Sequence, residues 1–152
     1  MSQTVLKKEE NVSLALRSLY RSYGYLPYKM SKFEPYDLYV ANKDFLVGDG
    51  VITFTDTDGR LLALKPDVTL SIIKNSKDGE LQKVYYNENV YRISGETKQF
   101  KEIAQVGLEC LGEVGNYEVY ETLLLAAASL QEISSAFVLD ISHLGILSAV
   151  LF

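Results

Sequence analysis

The sequence predicts an α+β domain, an antiparallel sheet flanked by helices, and three observations carry that prediction. Segments 81–92 and 102–112 alternate with a period of two and are separated by a short polar connection, the pattern of two long antiparallel strands. Apolar residues recur at helical spacing over 5–23 and again after Gly115. The 152-residue chain is 47% hydrophobic, enough for the core of a single domain spanning 1–152.

The elements follow in order. Val12, Leu16, Leu19 and Tyr23 give the first helix a stripe, and Gly24 ends it. Glu9-Glu10 and Lys7-Lys8 form its solvated face. Tyr25–Met30 is a short extended piece, and the irregular Asp-, Asn- and Gly-rich stretch Ser31–Gly50 reads as a surface loop anchored by Phe33, Tyr36 and Tyr39. Val51–Thr55 and Leu61–Lys65 are strands joined by Asp-Thr-Asp-Gly, a hairpin-turn composition. Those four residues faintly resemble a calcium loop, but the other ligands and the distal glutamate of such a loop are missing. Pro66 suits the first position of a helix running to about Ser76, with Asp67 near its positive end and Leu70 and Ile73 as its buried stripe.

In the long strand 81–92, Val84, Tyr86, Glu88, Val90 and Arg92 share one face. Ser94–Gln99 connects it to the second long strand. The helix after Gly115 has Val119, Leu123, Ala126, Leu130 and Ile133 as its stripe, with Glu118 and Glu121 in the first turns. Ala136–Ile141 reads as a buried-type strand and His143–Phe152 as the start of another apolar helix. Leu147, Val150, Leu151 and Phe152 are core-type residues with no polar cap, so the expectation is the front portion of a longer protein.

Composition excludes several function classes. The net charge is −5 and no basic run exceeds Lys7-Lys8, so autonomous nucleic-acid binding is not expected. The single cysteine, Cys110, forbids an intrachain disulfide and reads as an inert buried thiol. No signal region and no membrane-length apolar run is present, which makes the cytoplasm the default compartment. One histidine, His143, rules out His-based triads and multi-His metal sites within the chain, and reads as a capping or packing residue. No P-loop, Gly-x-Gly-x-x-Gly or zinc spacing occurs, so neither cofactor nor metal is expected.

The strand Glu102–Gly112 is where function is most legible. Ala104, Val106, Leu108 and Cys110 form a core face, while Gln105, Gly107 and Glu109 point the other way. An amide and a carboxylate four residues apart, with a glycine leaving the gap between them unfilled, suit the floor of a pocket for a small amine. Solvent-exposed polar positions would give the same pattern. Arg92 could equally be a surface residue paired with Glu88 or Glu102, Asp67 a first-turn helix residue and Thr69 a packing residue.

The strand pair, the arginine ending its first strand, the Gln-x-Gly-x-Glu set on its second and the preceding Leu64-Lys65-Pro66-Asp67-Val68-Thr69 together resemble the class II aminoacyl-tRNA synthetase catalytic core, and within it the histidyl branch. The resemblance covers nearly the whole chain, through Ser142-His143-Leu144-Gly145, and the front part of that core. It implies a histidine-binding set of Asp67, Thr69, Arg92, Gln105 and Glu109.

The departures discriminate between two families that share the pattern, the true histidyl-tRNA synthetases and the regulatory subunits of ATP phosphoribosyltransferase. The acid that synthetases carry two positions after the motif 2 arginine is here Ser94, and Gln99 and Ala104 replace an arginine and a histidine of the returning loop and strand. Gly107 stands where this branch commonly carries an acid. A neutral amide cannot substitute for a bidentate guanidinium on a triphosphate, so the nucleotide half is lost and the amino-acid half kept. The resemblance therefore implies a non-catalytic regulatory subunit with no catalytic residues. It would act in histidine biosynthesis with the short-form ATP phosphoribosyltransferase catalytic subunit and L-histidine as partners, as a homodimer within a hetero-oligomer, without tRNA binding. The alternatives are the front part of a histidyl-tRNA synthetase and a dimerisation module with no ligand.

Overall fold

The computed structural model describes residues 6–42, 50–77 and 79–142, with the single positions 145 and 149. The expectations for His143 and the C-terminal helix lie outside the described residues. Ten elements follow in order: α1 (Lys8–Ser22), β1 (Leu26–Pro27), β2 (Phe33–Pro35), α2 (Tyr36–Ala41), β3 (Thr53–Thr55), β4 (Leu61–Leu64), α3 (Thr69–Asn75), β5 (Gln82–Ile93), β6 (Phe100–Leu111) and α4 (Asn116–Ile133).

The centre is the β5–β6 hairpin, paired antiparallel without a break from Gln82↔Leu111 to Ile93↔Phe100. Its connection closes through the Ser94 N–H on the Gln99 carbonyl at 2.9 Å, and Lys98, at φ +54°, takes the left-handed position there. β1 joins β5 in parallel, so this three-stranded sheet is mixed, whereas the expectation was antiparallel throughout. A second, antiparallel sheet has the order β2-β4-β3. Its β3–β4 turn fits the Asp-Thr-Asp-Gly reading: Asp56 Oδ1 accepts from the Asp58 and Arg60 N–H groups, and Gly59 takes φ +81°.

Each face of the long hairpin has its own partner layer. On one face α1 and α4 enclose Leu16, Tyr20, Tyr25, Tyr85 and Leu125, with Val106 and Leu108 of β6 packed against them. Of the core face predicted for β6, Val106 and Leu108 pack here, whereas Cys110 is half-buried and Ala104 is exposed. The Tyr20 hydroxyl ties the two helices together at Ser129 Oγ, 2.9 Å away. Opposite, α3 seats Val68 and Ile72 on Val90, with Val84 and Tyr86 beside them. Behind α3, Leu70 meets Tyr39 and Ala63 of the smaller layer.

Several elements differ from expectation for identifiable reasons. The stretch read as a loop from Ser31 contains β2 and α2, because Glu34 is buried there as an acceptor: Ser71 Oγ lies 2.7 Å from both of its carboxylate oxygens and the Tyr39 hydroxyl donates to Oε2. Burial and that neighbouring carboxylate push the Tyr39 phenol well above its usual range. Residues 43–49 lie outside the described residues. α3 begins at Thr69 and not at Pro66, since Asp67 Oδ1 accepts the Leu70 N–H at 3.0 Å and so acts ahead of the helix as its cap. Ile73, taken for part of that helix's stripe, is exposed, and Ile72 is buried.

In α1 the buried stripe uses Tyr20, and Tyr23 sits half-exposed past the helix end. In α4 the buried positions are Glu121 and Leu125, not Val119 and Ile133. Glu118 caps the helix by accepting the Gly115 N–H at 2.9 Å, whereas Glu121 turns inward and meets Lys83 Nζ at 2.6 Å. The expected strand Ala136–Ile141 is absent: Val138 is 82% exposed, and no strand flanks it among the described residues. An apolar run with no sheet edge beside it has no ladder to join, and its exposed backbone groups turn to water instead.

The most demanding buried group is Lys65. Its side chain is fully buried and its ammonium lies 3.0 Å from Glu88 Oε2. Truncating one partner of such a pair strands the other charge, so Glu88→Ala is expected to destabilise the protein by ~3–5 kcal/mol. Lys65→Met, of similar volume, is expected to cost much less in a Glu88→Leu background than alone, measured by urea denaturation.

Candidate functional site

The site lies on the α3 side of the β5–β6 hairpin. Strand register decides which residues face each other there: Val84 opposes Glu109, Tyr86 opposes Gly107, Glu88 opposes Gln105 and Arg92 opposes Lys101. Asp67 and Thr69 arrive from above, at the entry to α3.

Four of the five predicted residues fall into two pairs, Thr69 with Glu109 and Arg92 with Asp67. The Thr69 hydroxyl donates to Glu109 Oε1 at 2.6 Å, which ties α3 to β6. Arg92 donates from Nε to the Pro66 carbonyl at 2.9 Å, and its terminal nitrogen lies 3.9 Å from Asp67 Oδ2. Arg92 is therefore bound to the segment leading into α3, and not to Glu88 or Glu102 as the sequence suggested. Glu88 holds Lys65, and Glu102 accepts from Asn89 and Tyr91. Gln105 is on the same face across from Glu88, and its side chain makes no hydrogen bond among the described residues.

The gap over Gly107 is filled. A Cβ added there would stand 2.5 Å from Tyr86 Oη and 2.7 Å from its Cζ, so the tyrosine ring crosses the strand where the sequence suggested an opening. Tyr86, Lys65 and Glu88 are the members of this face that sequence reasoning missed as site residues. The alternation had put Tyr86 and Glu88 on the correct face, but cross-strand pairing depends on the length and shape of the connection, which alternation does not encode.

Electrostatically the group is rich in acid. Burial pushes the Glu109 carboxyl above the usual carboxylate range; the Thr69 hydrogen bond opposes this and the charge of Asp67 adds to it. Tyr86 is pushed up to about 12, by burial first and then by the charges of Glu109 and Asp67. Asp67 already has the Arg92 guanidinium beside it, whereas Glu109 is met only by the Thr69 hydroxyl, so within this group Glu109 is the acceptor that a small ammonium ion would suit best. Among the described residues no cluster of His, Cys, Asp and Glu has metal-binding geometry. On the opposite face, burial raises the thiol of Cys110.

A mixed sheet whose hairpin carries such a group on one face and two packed helices on the other defines the class: this is the front of a class II aminoacyl-tRNA synthetase-type core. Solved structures share it, among them an ATP phosphoribosyltransferase regulatory subunit/histidyl-tRNA synthetase from Bacillus halodurans (TM-score 0.68, 24% identity, 87% of this chain and 36% of that one). Another is the ATP phosphoribosyltransferase complex from Thermotoga maritima (TM-score 0.63, 21% identity, 86% of this chain and 43% of that one).

The family model for histidyl-tRNA synthetase matches residues 2–152, and the chain belongs to that family. Its relatives carry two kinds of name. A histidine–tRNA ligase of Methanococcus maripaludis is 28% identical over 95% of this chain and 36% of its own length. An ATP phosphoribosyltransferase regulatory subunit of Oceanobacillus iheyensis is 29% identical over 91% of this chain and 35% of its own length. The chain thus spans about a third of the curated relatives it matches. No helix among the described residues is long and apolar enough to cross a membrane.

The raised carboxyl of Glu109 fixes the sign of a pH effect. A group whose folded pKa exceeds its unfolded one contributes most below the unfolded pKa, and that contribution is lost as pH rises through the folded value. Glu109→Gln keeps an acceptor for Thr69 and removes this loss. Its stability relative to the parent is expected to be greater at pH 7 than at pH 4, as read from urea midpoints at the two values.

Proposed function

We propose that this chain forms the amino-acid-binding front of a non-catalytic regulatory subunit of ATP phosphoribosyltransferase. In this reading it takes up L-histidine and reports its concentration to the short catalytic subunit. One observation carries the reading: the Asp67, Thr69 and Glu109 group is assembled beside Gln105 and Arg92, while Ser94, Gln99 and Ala104 lack the charges that would hold a triphosphate. The ammonium of histidine would sit against the two carboxylates, with Gln105 and Thr69 completing its hydrogen bonds. Regulatory-subunit relatives support the partner, and a homodimer within a hetero-oligomer is the assembly proposed.

A second reading has its own support. Histidine–tRNA ligases of Methanococcus maripaludis and Methanocaldococcus jannaschii are 28% and 30% identical over nearly the whole chain. That reading requires ATP to be bound and histidyl-adenylate to be made. Histidine-dependent ATP–pyrophosphate exchange by the full-length gene product separates the two, and robust exchange would overturn the regulatory reading.

Under the regulatory reading, calorimetry on the full-length product is expected to register L-histidine binding that Glu109→Ala weakens about 10–100-fold, the scale of a lost charge-assisted hydrogen bond. The full-length product is also expected to co-purify with the short-form phosphoribosyltransferase. Because a bound ammonium favours the ionised carboxylate, histidine affinity should fall as pH drops through the raised Glu109 value, a fall that Glu109→Gln removes. An affinity unchanged across that range would place the ammonium elsewhere.

A further inference from the structure

Tyr86 is set by two independent facts of geometry. The hairpin register puts it opposite Gly107, and the close approach to a Cβ at 107 puts its phenol end directly over that glycine. Gln105 and Glu109 flank Gly107 on the same face, so the ring lies between the amide and the carboxylate. Its inner side packs with Val68, Ile72 and Val90, which holds it in one orientation. Any side chain at 107 larger than hydrogen would evict it.

We propose that Tyr86 is a positioning and specificity residue whose ring forms the floor of the ammonium subsite. A ligand cation held by Asp67 and Glu109 rests against the aromatic face, and the ring limits how deeply the ligand's substituents can reach. This rests on the amine-pocket reading given above and adds to it the residue that shapes the pocket. The negative face of an aromatic ring attracts a cation, most strongly when both are removed from water, and the half-buried carboxylates of Glu109 and Asp67, whose charges both act on Tyr86, supply that setting. The phenol stays protonated across the physiological range, because burial and the neighbouring charges of Glu109 and Asp67 oppose its ionisation. The ring therefore adds no third negative charge to the site. The bland alternative is that the ring merely covers bare glycine backbone, as aromatic residues do across sheets. That role would make Tyr86 matter for folding and not for ligand choice.

The experiment uses the full-length gene product, with L-histidine and its deaminated analogue 3-(imidazol-4-yl)propionate as probes. Three variants are compared, Tyr86→Phe, Tyr86→Leu and Gly107→Ala, each checked by thermal melting. Tyr86→Phe keeps the aromatic face and should bind histidine within about threefold of the parent. Tyr86→Leu should weaken histidine roughly 10–30-fold while leaving the weaker binding of the analogue unchanged. Gly107→Ala should reproduce the Leu result by displacing the ring.

Histidine binding by Tyr86→Leu at parental affinity, or equal loss of both probes, overturns the floor role while the pocket reading stands. If the parent binds neither probe, the pocket reading fails and takes this proposal with it. Should Tyr86→Leu not fold, Gly107→Ala decides alone, since it moves the ring without removing it.

Discussion

The register of the β5–β6 hairpin is the constraint on which the rest depends. Twelve consecutive pairs fix Glu109 beside Val84, Tyr86 over Gly107 and Gln105 beside Glu88. A slip of one residue would turn Glu109 and Gln105 into the α1–α4 layer and carry Val106 and Leu108 out to the α3 side. That alternative buries two polar side chains among tyrosines and leucines and exposes the residues that complete the core. The hydrophobic layer on one face therefore enforces the chemistry of the other. Gly107 reinforces the register, because only there does the strand leave room for the ring that crosses it.

Charged groups taken out of water are each matched to a partner in this fold. Lys65 meets Glu88, Glu121 meets Lys83, and Glu34 accepts from Ser71 and Tyr39. These pairs tie elements far apart in sequence, and the cost of orphaning either member is large compared with what the pair itself contributes. Such pairs specify which helix face turns inward more than they add stability. In α4 this accounts for the inward Glu121, a position where an apolar residue would be the ordinary choice. Glu109 is the exception: its half-buried carboxyl has a hydroxyl donor and a second acid nearby, but no cation among the described residues is paired with it. A half-buried acid left in that state is where a cationic ligand has most to offer.

The sequence made the long elements and their faces legible, because α1, β5, β6 and α4 carry enough residues for periodicity to average out. The faces of β6 were readable from alternation alone. Short elements were not: β2 and α2 exist because Glu34 must be buried against Ser71 and Tyr39, a tertiary requirement invisible to a local pattern. Asp67 was read as lying inside a helix that in fact starts after it, since its side chain caps what its backbone does not join. For the site, resemblance to a family named Asp67, Thr69, Arg92, Gln105 and Glu109, and the structure pairs Thr69 with Glu109 and Arg92 with Asp67. Tyr86 escaped because its place over Gly107 follows from a cross-strand pairing, and the Ser94–Gln99 connection that sets that pairing is closed partly by Lys98 in a left-handed conformation.

The position of α3 explains how an occupied site could be felt elsewhere. Through Thr69 the helix reaches Glu109 on the hairpin, and through Ser71, two residues on, it reaches Glu34 and so Tyr39 of α2. The first turn of one short helix is thus the hydrogen-bonded link between the candidate site and the smaller sheet. The Thr69 bond uses one oxygen of Glu109, Oε1, so a ligand ammonium can join the carboxylate with that bond in place, and α3 cannot shift without disturbing the buried Glu34 contacts. Contiguity of this kind is a route and not in itself a coupling: a ligand biases two assemblies only to the extent that it binds them unequally. Under the regulatory reading the ligand must therefore bind the two assemblies unequally, and the Thr69–Glu109 bond is where a ligand at this site would meet α3.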